Sequence, residues 1–260
     1  MTVLMPVKAG RLAGVNPVAK LAAVFIVSLT LIVSIDWVSA GVALVIECVL
    51  LAFTKLPLRA VLIRTLPLLI AAPLAGLTTV LYGQSSGQTY WHWWAVEVSD
   101  GSISLGVATM LRIVAVGIPA IVLLITIDPT DLADGLAQIV RLPARFVMGG
   151  LAALRLVGLF VEDWRALELA RRARGVADSG RIKRLVGQSF ALLVLSIRRG
   201  SKLATAMEAR GFGAPTKRTW ARTSRFGRSD WVVIALGCGV AVCAVIVAVA
   251  TGSWNFVIGS

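Results

Sequence analysis

Five apolar runs, each long enough or nearly long enough to cross a bilayer as a helix, constrain this chain more than any other feature. They lie at about 18–35, 38–53, 61–81, 103–127 and 231–250. Because the hydrocarbon core of a bilayer is about 30 Å thick, a spanning helix needs about 20 apolar residues. Hydrophobic residues make up 58% of the 260 residues, and the mean hydropathy is +0.86. The sequence therefore predicts an all-α integral membrane protein with about five transmembrane helices and excludes a soluble globular domain.

The beginning of the chain also has the features of a secretory signal peptide. Basic side chains precede the first apolar run, and Val38-Ser39-Ala40 fits a cleavage site. We expect no cleavage, because a second apolar helix follows at once across a tight turn at Asp36-Trp37.

Positive charge is distributed unevenly among the connections, and this predicts an orientation. The 128–230 segment holds nineteen of the 26 Lys and Arg residues, whereas the 82–102 connection holds none. Because cytoplasmic loops are enriched in Lys and Arg, we predict a multi-pass protein with a cytoplasmic N-terminus and a C-terminus outside. Trp231 then lies at the inner interface of the lipid bilayer. The tryptophans expected at the outer interface are Trp37, Trp91, Trp93, Trp94 and Trp254.

The long polar segment between the fourth and fifth spans divides the chain into three predicted domains. They are a four-span bundle (1–127), a cytoplasmic domain (128–230), and a last transmembrane helix with an outer tail (231–260). Within the cytoplasmic domain, Asp128-Pro129-Thr130 predicts the start of a short helix. Two long helices are predicted at about 143–174 and 185–210, each apolar in its first half and charged in its second. We expect neither apolar half to be long enough to span the bilayer.

Both long helices end in the same pattern, A-x-x-A-R-G. The pattern closes with Ala173-Arg174-Gly175, the first tip, and with Ala209-Arg210-Gly211, the second tip. A left-handed glycine cap and an arginine beside the negative helix end explain the last two residues of each tip. They do not explain the repeated alanines, which line one helix face that a partner's backbone could approach closely. We therefore expect both tips to dock into grooves with acidic or carbonyl acceptors.

With these tips, the sequence resembles the transmembrane coupling (T) component of energy-coupling factor transporters, the EcfT/CbiQ family. That family has two Ala-Arg-Gly tips on long, crossed cytoplasmic coupling helices. Further similarity lies at 16–20, 128–132, 142–143, 153–155 and Glu162. The resemblance implies a scaffold subunit of the prokaryotic cytoplasmic membrane, with each tip in a groove of one of two ABC-type ATPase subunits. It also implies a membrane-embedded substrate-binding (S) subunit that takes up a vitamin, or cobalt or nickel ions.

The resemblance further implies that this chain has no catalytic residues of its own. ATP and Mg²⁺ would be bound by the partner ATPases, and the sequence contains no G-x-x-x-x-G-K-[ST] stretch and no Gly-Lys dipeptide. One histidine and three cysteines, all three within apolar runs, leave too few ligands for a zinc or iron–sulfur site. We therefore expect no metal, no cofactor and no disulfide framework in this chain.

Two ionisable residues lie deep within the predicted spans. Glu47 in the second span and Arg112 in the fourth each follow the outer end of their helix by about ten residues, roughly 15 Å. We predict an intramembrane ion pair between Glu47 and Arg112, and favour a structural role for it over a substrate or ion site. The sequence has no second acidic residue at this depth, which argues against a proton relay.

Three other functions are weighed against the coupling scaffold. A stand-alone secondary transporter would need membrane repeats and several midplane polar residues, of which the sequence shows one Glu/Arg pair. A membrane enzyme would need clustered carboxylates, but Asp128, Asp131 and Asp134 suit the start of a helix equally well. The basic residues at 217–228 could suggest a nucleic-acid binder. Since they directly precede a span, we expect them to face anionic lipid and predict no nucleic-acid partner.

Overall fold

The computed structural model describes residues 11–34, 36–54, 56–83, 86–93, 96–175, 180–214 and 219–253. Four residues named above lie outside these ranges. They are two of the tryptophans expected at the outer interface, Trp94 and Trp254, and the basic residues Lys217 and Arg218. The same holds for the side chains of His92 and Trp93. The α-helices are α1 Pro17–Val33, α2 Trp37–Phe53, α3 Leu58–Tyr82, α4 Asp100–Ile125, α5 Pro129–Gln138, α6 Ala144–Ala173, α7 Arg181–Ala209 and α8 Arg228–Ala250.

The five predicted spans correspond to α1, α2, α3, α4 and α8, and the helical membrane-protein class is confirmed. Helices α3, α4 and α8 are long and apolar enough to cross a bilayer, whereas α1 and α2 are apolar helices of 17 residues each. Helix α6 also meets the length and composition requirement. This contradicts the expectation that its apolar half is too short, because Arg145 and Arg155 are the sole charged residues between 144 and 161.

A short β-hairpin in the 82–102 connection was not predicted. Strand β1 (Thr89–Trp93) pairs antiparallel with β2 (Val96–Ser99), with Trp91 opposite Val98. Aromatic and β-branched residues favour strands, and both strands consist largely of such residues. The signal for the hairpin was therefore present in the sequence.

The chain divides into two compact units. The first, here called the membrane unit, comprises residues 1–135 and 224–260; the second, the tip unit, comprises 136–223. The tip unit contains α6, α7 and both tips, and its boundaries lie a few residues inside the predicted 128–230 domain. Helix α5 spans the first boundary.

Small residues let the helices of the membrane unit pack closely. Its core contains Val27, Leu31, Ala43, Ala115, Val240 and Ala244, from α1, α2, α4 and α8. A Cβ on Gly106 of α4 would lie 2.8 Å from the carbonyl oxygen of Gly76 and 2.3 Å from Cγ2 of Val80, both on α3. A Cβ on Gly237 of α8 would lie 2.9 Å from Cα of Ala23 on α1. Any larger residue at these two glycines would therefore force the helices apart.

A buried polar cluster joins the start of α1 to the start of α8 and the end of α4. The backbone N–H of Asn16 donates to Asp230 at 2.6 Å, and its side-chain amide donates to Ser224 at 2.9 Å. The ammonium of Lys20 donates to the hydroxyl of Thr126 at 3.1 Å. Only 1% of Lys20 and 3% of Asp230 is exposed. We call these five residues the base cluster, and the stretch 16–20 is thus a structural junction in this protein.

Candidate docking tips and intramembrane polar groups

One bidentate ion pair connects the two long helices of the tip unit. Both terminal nitrogens of the Arg199 guanidinium on α7 donate to the carboxylate of Asp163 on α6, Nη2 to Oδ1 at 3.2 Å. We call this pair the crossing bridge. It lies ten residues before the last residue of each helix, from Asp163 to Ala173 and from Arg199 to Ala209. At about 1.5 Å per residue, the bridge is therefore about 15 Å from each tip.

Both tips have the backbone geometry that the repeated pattern predicts. Gly175 and Gly211 adopt left-handed φ values of 68° and 76°, which confirms the two glycine caps. At the second tip, the N–H of Gly211 donates to the carbonyl of Glu208 and that of Phe212 to Met207, each at 2.9 Å. At the first tip, the N–H of Gly175 donates to Arg172 at 3.1 Å. These hydrogen bonds fix the direction in which the backbone leaves each of the two helices.

The arginine of each tip is presented to the surroundings. Ala173, Arg174 and Gly175 are exposed, as are Ala209, Arg210 and Gly211. Among the residues that the structure describes, the guanidinium of neither Arg174 nor Arg210 has a hydrogen-bond or ion-pair partner. Arg172, by contrast, is held by Glu168 one turn earlier at 2.6 Å. Both tip guanidiniums are thus available to an acidic partner.

The surroundings of the two tips differ. Arg210 lines a cleft of about 620 Å³ formed by the start of α6 and the end of α7, and Arg174 does not line it. Arg145, Met148, Met207 and Phe212 also line this cleft. Helix α6 begins there without a side-chain cap, so its first N–H groups add to the positive charge of the two arginines. The second tip therefore lines a basic recess.

Apolar side chains are widely exposed on both long helices. Phe146 on α6 is 65% exposed and Phe190 on α7 is 66% exposed. Helix α6 has no buried residue. Among the described residues of the tip unit, only Ala137 and Gln188 are buried. Exposed apolar surface of this extent marks contact with lipid or with a protein partner.

The predicted ion pair between Glu47 and Arg112 is not formed. Glu47 is 5% exposed, and neither of its carboxylate oxygens has a hydrogen-bond partner among the described residues; Nη2 of Arg112 also lacks one. Glu47 lies in a cavity with Pro119 and Leu123 of α4, about seven residues or roughly 10 Å along the helix from Arg112. The prediction equated distances from the helix starts. The two starts lie at different levels, because Glu47, ten residues after the start of α2, lies beside Pro119, nineteen residues after the start of α4.

Arg112 instead interacts electrostatically with Asp36. Asp36 is the buried N-cap of α2, where it accepts hydrogen bonds from the backbone N–H of Ser39 at 2.7 Å and the Ser39 hydroxyl at 2.6 Å. The hydroxyl of Ser34 also donates to it. Sequence reasoning had placed Asp36 in a turn at the membrane face. An aspartate immediately before an apolar helix is a capping signal that could have identified its role.

Metal-ligating side chains do not cluster within the described part of the chain: no group of three or more His, Cys, Asp or Glu residues could hold an ion. The three cysteines are free thiols in the membrane unit.

The architecture is that of a multi-pass membrane protein with a separate unit that presents two basic helix ends. Residues 11–220 match the family described as CbiQ, cobalt transport protein. The chain is 29% identical to the energy-coupling factor transporter transmembrane protein EcfT of Limosilactobacillus fermentum over 199 residues, 72% of this chain and 74% of that protein. It is 30% identical over 192 residues to EcfT of Acidaminococcus fermentans, covering 69% and 70% of the two chains.

A third relative, EcfT 1 of Listeria monocytogenes, is 27% identical over 246 residues, which cover 88% of this chain and 92% of that protein. The chain belongs to the CbiQ/EcfT family, the transmembrane (T) components of energy-coupling factor transporters. The resemblance drawn from the two tips is confirmed, and by family the chain is a non-catalytic subunit. This membership favours the coupling component over the secondary transporter, the membrane enzyme and the nucleic-acid binder.

Proposed function

We propose that this chain is the scaffold that couples ATP hydrolysis in two separate ATPase subunits to substrate uptake through an S subunit. Each tip docks into one ATPase, and the ATPases bind ATP and Mg²⁺. The substrate, a vitamin or a cobalt or nickel ion, is bound by the S subunit. The tip unit faces the cytoplasm of a prokaryotic cell, with the N-terminus on the same side and the C-terminus outside.

The observation that carries this proposal is the equal distance of the two exposed tips from the crossing bridge. A pair of helices held at one point moves as a unit only if that point resists sliding. A bidentate arginine–carboxylate pair fixes both position and orientation. Motion of an ATPase at either tip would therefore be passed through Asp163 and Arg199 over the same length of helix.

The chemistry of the tips supports docking into acidic grooves. A guanidinium presents several N–H donors in a rigid plane and remains charged at all physiological pH values. The glycine behind each arginine has no side chain, so a groove can close around the helix end. The basic recess at Arg210 favours an acidic groove on the ATPase that docks at the second tip.

The exposed apolar faces of α6 and α7 support a contact with the S subunit. Such a subunit is itself apolar, because it is embedded in the membrane. Side chains such as Phe146 and Phe190 would be covered by it, and their burial would contribute about 25 cal/mol per Å².

The experiment that tests this proposal is affinity purification in mild detergent from the native host. The Arg174→Ala/Arg210→Ala variant is compared with Arg165→Ala/Arg198→Ala, which removes one exposed arginine from each of the same helices away from the tips. We expect the natural chain and the control to retain P-loop ATPases and a small hydrophobic subunit. We expect the tip variant to lose the ATPases while remaining in the membrane. Equal recovery of ATPases with the tip variant would contradict the docking proposal.

A further inference from the structure

A cavity of about 240 Å³ lies within the membrane unit, and the proposed coupling function makes no use of it. It is bounded by α1, α2, α4 and α8, at the end of the bundle where α1 and α8 begin and α2 and α4 end. Its walls include Ala23, Val27, Glu47, Leu50, Pro119 and Gly237.

Glu47 is the one group in the wall whose hydrogen-bonding capacity is unused. Apart from Glu47, the only polar side chain in the lining is that of Thr54, whose hydroxyl already donates to the carbonyl of Leu51 at 2.7 Å. The Glu47 carboxylate is buried, and both of its oxygens lack a partner among the described residues. Arg112 is not part of the lining and interacts with Asp36 instead.

The cavity is poorly suited to water. A bound water needs two to four polar partners, and the lining of this cavity, which is partly open, offers only Glu47 and Thr54. An ionised carboxylate without a partner is strongly disfavoured in such surroundings. The cavity also cannot close by a nearer approach of α1 and α8, since these helices already touch at Gly237 and Ala23. Its shape and its charge therefore suit a ligand rather than solvent.

We infer that this cavity is a binding site for a small apolar molecule with one ammonium group, which donates hydrogen bonds to the carboxylate of Glu47. The ammonium both satisfies the oxygens and neutralises the charge. The cavity is larger than a cavity of about 150 Å³ that binds benzene, so an apolar group of about six to eight carbon atoms fits. The inference rests on the membrane unit alone and holds independently of ATPase docking.

The test is a titration of the purified chain in nanodiscs of phosphatidylcholine, whose quaternary ammonium has no N–H to donate. The probes are n-hexylamine, n-hexanol and hexanoate, which share one apolar chain and differ in the head group. We expect hexylamine to raise the unfolding temperature in a saturable manner, because a ligand that binds the folded state stabilises it. Hexanol should bind about tenfold more weakly and hexanoate should not bind, since a charge-assisted hydrogen bond is lost or replaced by repulsion.

Two variants connect the effect to this cavity. Glu47→Gln should weaken hexylamine binding by about tenfold or more, whereas Glu162→Gln, the same change at an exposed site on α6, should leave it unchanged. Val24→Phe/Leu50→Trp retains Glu47 and fills much of the cavity, so it should strongly weaken the saturable rise even if Glu47→Gln does not fold. The inference is overturned if hexylamine gives no saturable rise, if hexanol binds equally well, or if Val24→Phe/Leu50→Trp or folded Glu47→Gln binds like the natural chain.

The ammonium could belong to a free amine or to a lipid head group. Nanodiscs that contain phosphatidylethanolamine distinguish the two sources. A lipid that occupies the cavity raises the apparent Kd for hexylamine, whereas an unchanged Kd points to a free amine; both results support recognition of an ammonium by Glu47.

Discussion

The membrane unit and the tip unit are built from the same apolar residue types but bury them to very different extents. In the membrane unit, residues such as Leu31, Val122 and Val240 are fully or almost fully covered by neighbouring helices. In the tip unit, α6 has no buried residue, and aromatic side chains lie on the surface. The membrane unit therefore has a packed core beneath its own exposed apolar surface, whereas the tip unit leaves nearly all of its apolar side chains for lipid or partners.

Polar groups show the same contrast. The membrane unit buries a connected set, the base cluster, in which backbone and side-chain groups satisfy one another. Among its described residues, the tip unit has one ion pair between its two long helices, and it exposes the arginines at their ends. Substitutions in the membrane unit should therefore change stability, and substitutions in the tip unit should change association or coupling.

The largest expected effect is at the base cluster. Asp230→Ala removes the acceptor of the Asn16 and Gly227 backbone N–H groups and the stronger of the two negative charges near Lys20, the other being that of Asp131. Breaking a buried charge arrangement of this kind costs about 3 kcal/mol or more. Unfolding in mixed micelles should show this loss, with Asp134→Ala, which removes a half-buried carboxylate in α5, as the control. A loss below about 1 kcal/mol would show that the cluster is not what holds these helix ends together.

The second prediction applies one substitution to both units. Gly106→Ala places a methyl group against Gly76 and Val80 and should destabilise the membrane unit by about 2 kcal/mol through overpacking. Gly149→Ala lies in α6 with no atom within 4 Å of the new Cβ, and should be neutral or stabilising by up to about 1 kcal/mol. Thermal unfolding of the two variants in the same detergent measures both changes in stability. Equal destabilisation would contradict the claim that the units differ in packing.

The third prediction concerns the crossing bridge. Asp163→Asn removes a partly exposed ion pair, so we expect a stability change of only about 1 kcal/mol. If motion passes through the bridge, ATP-driven uptake by the reconstituted complex should fall about tenfold while the ATPases stay bound. The charge exchange Asp163→Arg/Arg199→Asp should restore part of the uptake, and Glu168→Gln, which breaks the exposed pair with Arg172, serves as the control. Full uptake by Asp163→Asn would remove the bridge from the mechanism.

The sequence predicts the helices and their ends well because these depend on local pattern. Apolar runs located five helices, and the A-x-x-A-R-G repeat located both left-handed glycines. Only the start of α7 differs notably, at Arg181 rather than near 185. The β-hairpin is not predicted although its aromatic and β-branched residues favour strands, because strands of five and four residues are too short to show a clear alternation.

Contacts between helices could not be predicted in the same way. Asp163 and Arg199 lie 36 residues apart, and several arginines nearer in the sequence are equally plausible partners for Asp163. Glu47 and Arg112 lie at equal distances from the starts of their helices, but α2 and α4 start at different levels. The level of a side chain in a bundle depends on where every helix starts, and no local pattern encodes this.

The smallest expected effect lies at the turn between α5 and α6. Arg141 is the one residue other than glycine with a positive φ among those described, at 61°, and it lies between the end of α5 and Pro143. This conformation costs a residue with a Cβ about 1 kcal/mol, so Arg141→Gly should stabilise the tip unit by about 0.5–1 kcal/mol. Arg141→Ala keeps the Cβ and removes the charge, so it should give no gain. Hydrogen exchange of the α5 and α6 backbone amides measures the difference. A gain with alanine equal to that with glycine would assign the effect to charge repulsion among the arginines of this turn instead of to backbone strain.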